Sequence, residues 1–122
     1  MQRVHHLFLS LVLVAASIAN TSAWAHATLV NSSPAAMAQL VQAPAAIVLK
    51  FSAGLDPTFS AITVTDRSQK AVTDVKATVD NADRATLRLA LPALSSGTYV
   101  VHWIAVADDG HKQKGEFSFT VK

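Results

Sequence analysis

Three histidines follow residue 25 of this sequence, His26, His102 and His111, and two of them stand where a metal ion could use them. His26 comes directly after Ala23-Trp24-Ala25, which places small residues at the two positions a signal peptidase reads. Cleavage after Ala23 is the main rival, but cleavage after Ala25 puts His26 at a free amino terminus, where its amine and its ring Nδ1 can close a chelate on one ion. His111 ends the segment Asp109-Gly110-His111. Residues two apart on extended chain project to the same side, so Asp109 and His111 are expected to present a carboxylate and an imidazole together. Gly110 leaves the space between them open. One amine, two imidazoles and one carboxylate oxygen in a near-planar array suit Cu(II), which prefers tetragonal N,O coordination and binds most tightly among the divalent first-row ions.

Asp-Gly is also an ordinary turn dipeptide, and a histidine beside it is often only solvated. The combination with a terminal histidine is what points to a metal. The other candidates are weaker. His102 shares a strand pattern with Trp103 and falls on the opposite face, so it reads as an outward histidine if Trp103 is a core residue. Met37 is the one methionine after the cut. A Cu(I) site uses several soft ligands, so this methionine reads as a gap filler. Asp108 has odd spacing from His111 and is expected to point away from it. Asp56, Asp66, Asp74, Asp80 and Asp83 fall in turns or at strand edges, where solvated carboxylates belong.

Residues 1–25 carry the three parts of a secretory signal: a weakly basic start at Arg3, the mostly apolar run from Leu7 to Ala19, and a polar break at Asn20-Thr21-Ser22 before the small residues. The apolar run is shorter than the roughly 20 residues needed to span a bilayer. The expected mature chain, residues 26–122, suits one small exported domain, with the periplasm as its compartment. Without Arg3 the 10 Lys/Arg fall to nine against 8 Asp/Glu, a net of +1. Near balance of this kind argues against nucleic acid as a partner. There is no cysteine. The domain must therefore hold together by packing alone, and any metal site must use nitrogen, oxygen or that single thioether.

The elements that must position these residues repeat with a period of two rather than 3.6. Strands are expected at Thr28–Val30, Ala46–Phe51, Ile62–Asp66, Val72–Val79, Thr86–Leu91, Tyr99–Val106 and Gly115–Val121. The strand over Tyr99–Val106 carries bulky apolar groups on both faces and is expected to be central. The alanine-rich stretch from Pro34 to Pro44 could hold one helical turn or an irregular loop. Seven short strands separated by turn residues predict an all-β, seven-stranded antiparallel sandwich or barrel of Greek-key type. Enzyme templates lack their parts, since there is no cysteine nucleophile, no glycine-rich phosphate loop and no serine elbow.

Five segments, in order, resemble the CopC-type periplasmic copper-binding proteins of copper resistance. They are His26-Ala27-Thr28-Leu29-Val30-Asn31-Ser32-Ser33-Pro34, Leu49-Lys50-Phe51-Ser52, Gly97-Thr98-Tyr99-Val100-Val101-His102-Trp103, Asp109-Gly110-His111, and Gly115-Glu116-Phe117-Ser118-Phe119-Thr120-Val121. The resemblance implies a cupredoxin-like or immunoglobulin-like β-barrel and a non-enzymatic protein for copper homeostasis. It implies one Cu(II) per chain on His26, Asp109 and His111, and an inner-membrane transporter of the CopD type as a partner. A monomer is expected for a chain this short. Two departures matter: Ala53 stands where family members often carry a glutamate, and the region Thr65–Val79 lacks the methionines that some members use for Cu(I). Lys112 also stands where proline is common.

Two other functions compete. A terminal histidine with a second histidine is also the copper arrangement of oxidative polysaccharide-cleaving enzymes, though a chain of this length leaves little room for a substrate surface. A metal-free exported interaction sandwich is the third.

Overall fold

The computed structural model describes residues 26–122; the expected export segment, residues 1–25, lies outside the described residues. Among the described residues eight strands, numbered in chain order, form two four-stranded sheets. One sheet has the order β1 (Leu29–Ser33), β3 (Ala46–Phe51), β6 (Thr86–Ala90) and β5 (Thr78–Val79). The other has β2 (Gln39–Leu40), β8 (Lys112–Val121), β7 (Gly97–Val106) and β4 (Ala61–Thr65).

Alternation along the strands builds the core. Ile47, Leu49 and Phe51 of β3 and Leu87 and Leu89 of β6 are buried, as are Ile62 and Val64 of β4, Tyr99, Val101 and Ala105 of β7, and Phe119 and Val121 of β8. Tyr99 stacks on Phe119 with ring centroids 5.5 Å apart. Its hydroxyl donates to the Ser95 carbonyl at 2.6 Å, which satisfies the polar end of a buried ring and ties down the turn before β7. Trp103 meets Phe51 edge to face at 5.2 Å, linking the two sheets. It can do so because Gly115 lies opposite it on β8: a Cβ at 115 would come within 2.5 Å of the indole.

The all-β expectation holds, but the count of seven and the purely antiparallel pairing do not. β2 arises inside the Pro34–Pro44 stretch, where a helical turn or loop was expected, and it pairs parallel with β8 through Gln39↔Thr120 and Leu40↔Val121. Two residues are too few to show a period. The strand expected over Val72–Val79 shrinks to Thr78–Val79. Asp74 and Lys76 interrupt one face of that stretch and Val75 is exposed on the other, so contact with the core is confined to Val72 at one end and Ala77 and Val79 at the other. β8 begins at Lys112 rather than Gly115, because the whole length of β7 offers it a partner, from Gly97↔Val121 to Val106↔Lys112.

Candidate metal centre

His26 precedes β1 and belongs to no strand. Its position is set by the two residues after it. Ala27 is completely buried, and the Ser52 backbone N–H donates to the Thr28 carbonyl at 2.9 Å. The Ser52 hydroxyl completes the attachment, donating to the His26 carbonyl at 2.9 Å and accepting the Thr28 N–H at 2.9 Å. The ring of His26 stays at the surface while its backbone is held.

His111 comes from the other sheet. β7 and β8 are joined by the three-residue loop Asp108-Asp109-Gly110, closed by Ala107 N–H to His111 O and by Gly110 N–H to Ala107 O, each 2.9 Å. Gly110 has φ +89°, a left-handed conformation that this kind of hairpin requires at its last loop residue and that glycine adopts most easily. This corrects the expectation of extended chain. Asp109 and His111 do come together, but through the turn rather than through strand alternation. The Asp109 carboxylate accepts the His111 backbone N–H at 3.0 Å through Oδ1, and Oδ2 lies 3.0 Å from His111 Nδ1. The amide bond first, and then the ring, hold the Asp109 carboxyl below its ordinary value of 3.8, with His26 adding a smaller push in the same direction.

The hairpin is also docked onto the first sheet. Leu55 bridges Ala107, the Asp108 N–H reaches the Gly54 carbonyl at 3.3 Å, and Arg84 Nη2 donates to both the Leu55 carbonyl and Asp108 Oδ1 at 3.0 Å. Asp108 is thereby engaged by Arg84 rather than by His111, through the turn and this ion pair and not through the strand alternation from which its spacing was read. The result is a meeting of the two halves: the rings of His26 and His111 stand edge to face with centroids 5.3 Å apart and planes at 76°. All three residues singled out in the sequence lie in one place.

Among the described residues, no three or more His, Cys, Asp or Glu side chains converge as a ready-made cage. What the junction does hold is two imidazoles 5.3 Å apart, with one carboxylate 3.0 Å from the second. The remaining candidates lie elsewhere. His102 projects outward from β7, with Nδ1 at 3.1 Å from Glu116 and Nε2 at 3.1 Å from the Thr65 hydroxyl. Met37 is 83% exposed rather than filling a gap, which overturns that expectation; its backbone is in the left-handed region, with φ +63°. Ala53 packs against the core. Ser52 and Arg84 were not singled out for roles at the site; their partners lie 24 or more residues away in sequence, and only the Phe51-Ser52 pair within a matching segment hinted at the first.

The CopC domain model matches residues 29–122. The chain belongs to the CopC family. Within and around the family, it is 39% identical to protein YobA of Escherichia coli K12 over 114 residues, covering 93% of this chain and 92% of that one. It is 40% identical to copper resistance protein C of Xanthomonas campestris pv. juglandis over 119 residues, covering 93% of each. Among solved structures it is similar to CopC from Methylosinus trichosporium OB3b, with a TM-score of 0.74 and 34% identity over 80% of this chain and 94% of that one. The CopC fold here is thus an all-β fold of two sheets, with His26 just before β1 of one and His111 just before β8 of the other.

Proposed function

We propose that this protein binds one Cu(II) for copper resistance or homeostasis in the periplasm, as a carrier or sequestering protein and not as an enzyme. The observation that carries this is the approach of the His26 and His111 rings to 5.3 Å, with Asp109 3.0 Å from the second ring. Membership of the CopC family, and a relative named copper resistance protein C, support the choice of metal. Export and cleavage after Ala25 supply the remaining donor, the His26 amine.

The amine and Nδ1 of His26 hold the ion as a chelate, His111 supplies a second imidazole, and Asp109 supplies the anionic oxygen. Each carboxylate oxygen of Asp109 already has a partner within its loop, which fixes the group while leaving further lone pairs for an ion. A monomer delivering to an inner-membrane partner of the CopD type belongs to the same proposal.

Cu(II) titration of protein that begins at His26, compared with protein carrying one additional residue before it, tests the chelate. The added residue converts the amine to an amide and should weaken binding strongly. Equal affinity of the two forms would refute the terminal chelate.

A further inference from the structure

Resting on that terminal chelate, we infer that Ser52 is its positioning residue, a role expressed entirely through the backbone of His26. A chelate that uses a backbone nitrogen is only as well placed as the backbone that carries it. β1 begins only at Leu29, and the register between β1 and β3 slips between Leu29 and Asn31, just where the chain approaches the site. The last cross-strand pair toward the terminus is Leu29↔Phe51. Beyond Phe51, the chain turns through Ala53 and Gly54 to pair Leu55 with Ala107, so the ladder stops short of His26.

The Ser52 hydroxyl continues it. Its proton goes to the His26 carbonyl and its lone pair takes the Thr28 N–H, each at 2.9 Å, while its own N–H holds the Thr28 carbonyl at 2.9 Å. One exposed side chain thus spans the peptide groups on both sides of the buried Ala27, with both hydrogen-bonding capacities used. Three residues further on, Leu55 holds the base of the hairpin that bears Asp109 and His111. The segment Ser52-Ala53-Gly54-Leu55 therefore fixes one histidine with its first residue and the other with its last.

The test uses Ser52→Ala and Ser52→Thr in protein that begins at His26 and in the form extended by one residue. Ser52→Ala should weaken Cu(II) about 10- to 100-fold, the usual loss when an outer group orienting a ligand is removed. It should also change the electron paramagnetic resonance spectrum of the bound ion toward fewer nitrogen ligands. Ser52→Thr, which keeps the hydroxyl at an exposed position, should restore both affinity and spectrum. In the extended form Ser52→Ala should matter little, because the amine it positions is already lost. Unchanged affinity and spectrum in Ser52→Ala would overturn the positioning role while the extended form still reports on the chelate. A loss of the same size in both forms, or one that threonine does not repair, would overturn it as well. Equal binding by the two parent forms would instead remove the chelate itself.

Discussion

Gly110 allows the hairpin to be tested through its backbone alone. Its φ of +89° lies in the left-handed region, and a Cβ built there meets no atom within 4 Å. Gly110→Ala therefore introduces no clash, and its whole effect is torsional, roughly 1–2 kcal/mol for a non-glycine residue forced into that region. The protein can respond in two ways. If the loop keeps its shape, the fold bears the strain, and at about 4–8 °C per kcal/mol for a domain of this size the apo protein should melt about 4–16 °C lower. If the loop relaxes instead, melting changes little. Asp109 and His111 then leave their present geometry, and Cu(II) binding weakens by a factor of roughly 5–30 for the same energy. Thermal denaturation of the apo protein and a Cu(II) titration of the same sample divide the strain between the two. Gly110→Asn is the control, because asparagine enters the left-handed region at lower cost and should fall between glycine and alanine in whichever readout responds. Melting and affinity both equal to the parent in Gly110→Ala, or a larger effect from asparagine than from alanine, would refute the assignment of this turn as the element that fixes the site.

Two further perturbations probe the frame and the donors. Gly115→Ala brings a methyl group to 2.5 Å from Trp103 Cζ2, so the indole must leave its contact with Phe51; a loss of about 1–3 kcal/mol and a shift in tryptophan fluorescence should follow, both relieved by Trp103→Leu in the same chain, whereas an unaltered melting curve would contradict the packing. As pH falls from 8 to 5, Cu(II) occupancy should drop, because protons compete with the metal for its nitrogen ligands, while the apo stability contributed by the carboxylates that are held low stays level. Asp83, held low chiefly by Lys50, and Asp109, held low chiefly by the His111 amide, have folded values depressed below 3.8, so their contributions are present above that value and fade only as pH falls through the lower folded ones. Apo melting temperatures that decline together with occupancy above pH 5 would contradict this separation.

The candidate site could be nominated from the sequence because its residue types are scarce. Three histidines after residue 25 leave few choices, and a predicted cut beside one of them marks it. Asp109 and His111 nonetheless meet around a hairpin loop and not along a strand, so alternation does not account for their pairing. A dipeptide such as Asp-Gly is compatible with both, and the ten-residue pairing of β7 with β8 decides between them. Long strands with one clean apolar face, such as the one ending at Phe51, were readable from alternation. β2 and β5 were not, because two-residue strands owe their existence to a neighbour's free edge rather than to their own pattern. Ser52 was invisible as a positioning group for the same reason: a serine's role depends on what the fold brings to its hydroxyl.

The two adjacent aspartates show how the frame divides labour within the loop. Asp108 and Asp109 carry the same group one residue apart, yet Asp108 is turned to Arg84 and sits so close to Gly54 that a Cβ there would come within 2.8 Å of its Oδ2. Asp109 is turned to His111. Arg84 also donates to the Leu55 carbonyl, so the cation that engages Asp108 is itself fixed to the segment that aligns the hairpin. A second carboxylate is thereby kept from the histidines, and the junction offers nitrogen donors with one anionic oxygen. On the proposed function, that set suits Cu(II) rather than the oxygen-rich cages that hard cations require. Because His26 enters from the sheet of β1 and His111 from the sheet of β7 and β8, an ion held between them would also tie the sheets together. Unfolding separates those donors, so on the proposed function copper loading and folding of this domain are coupled.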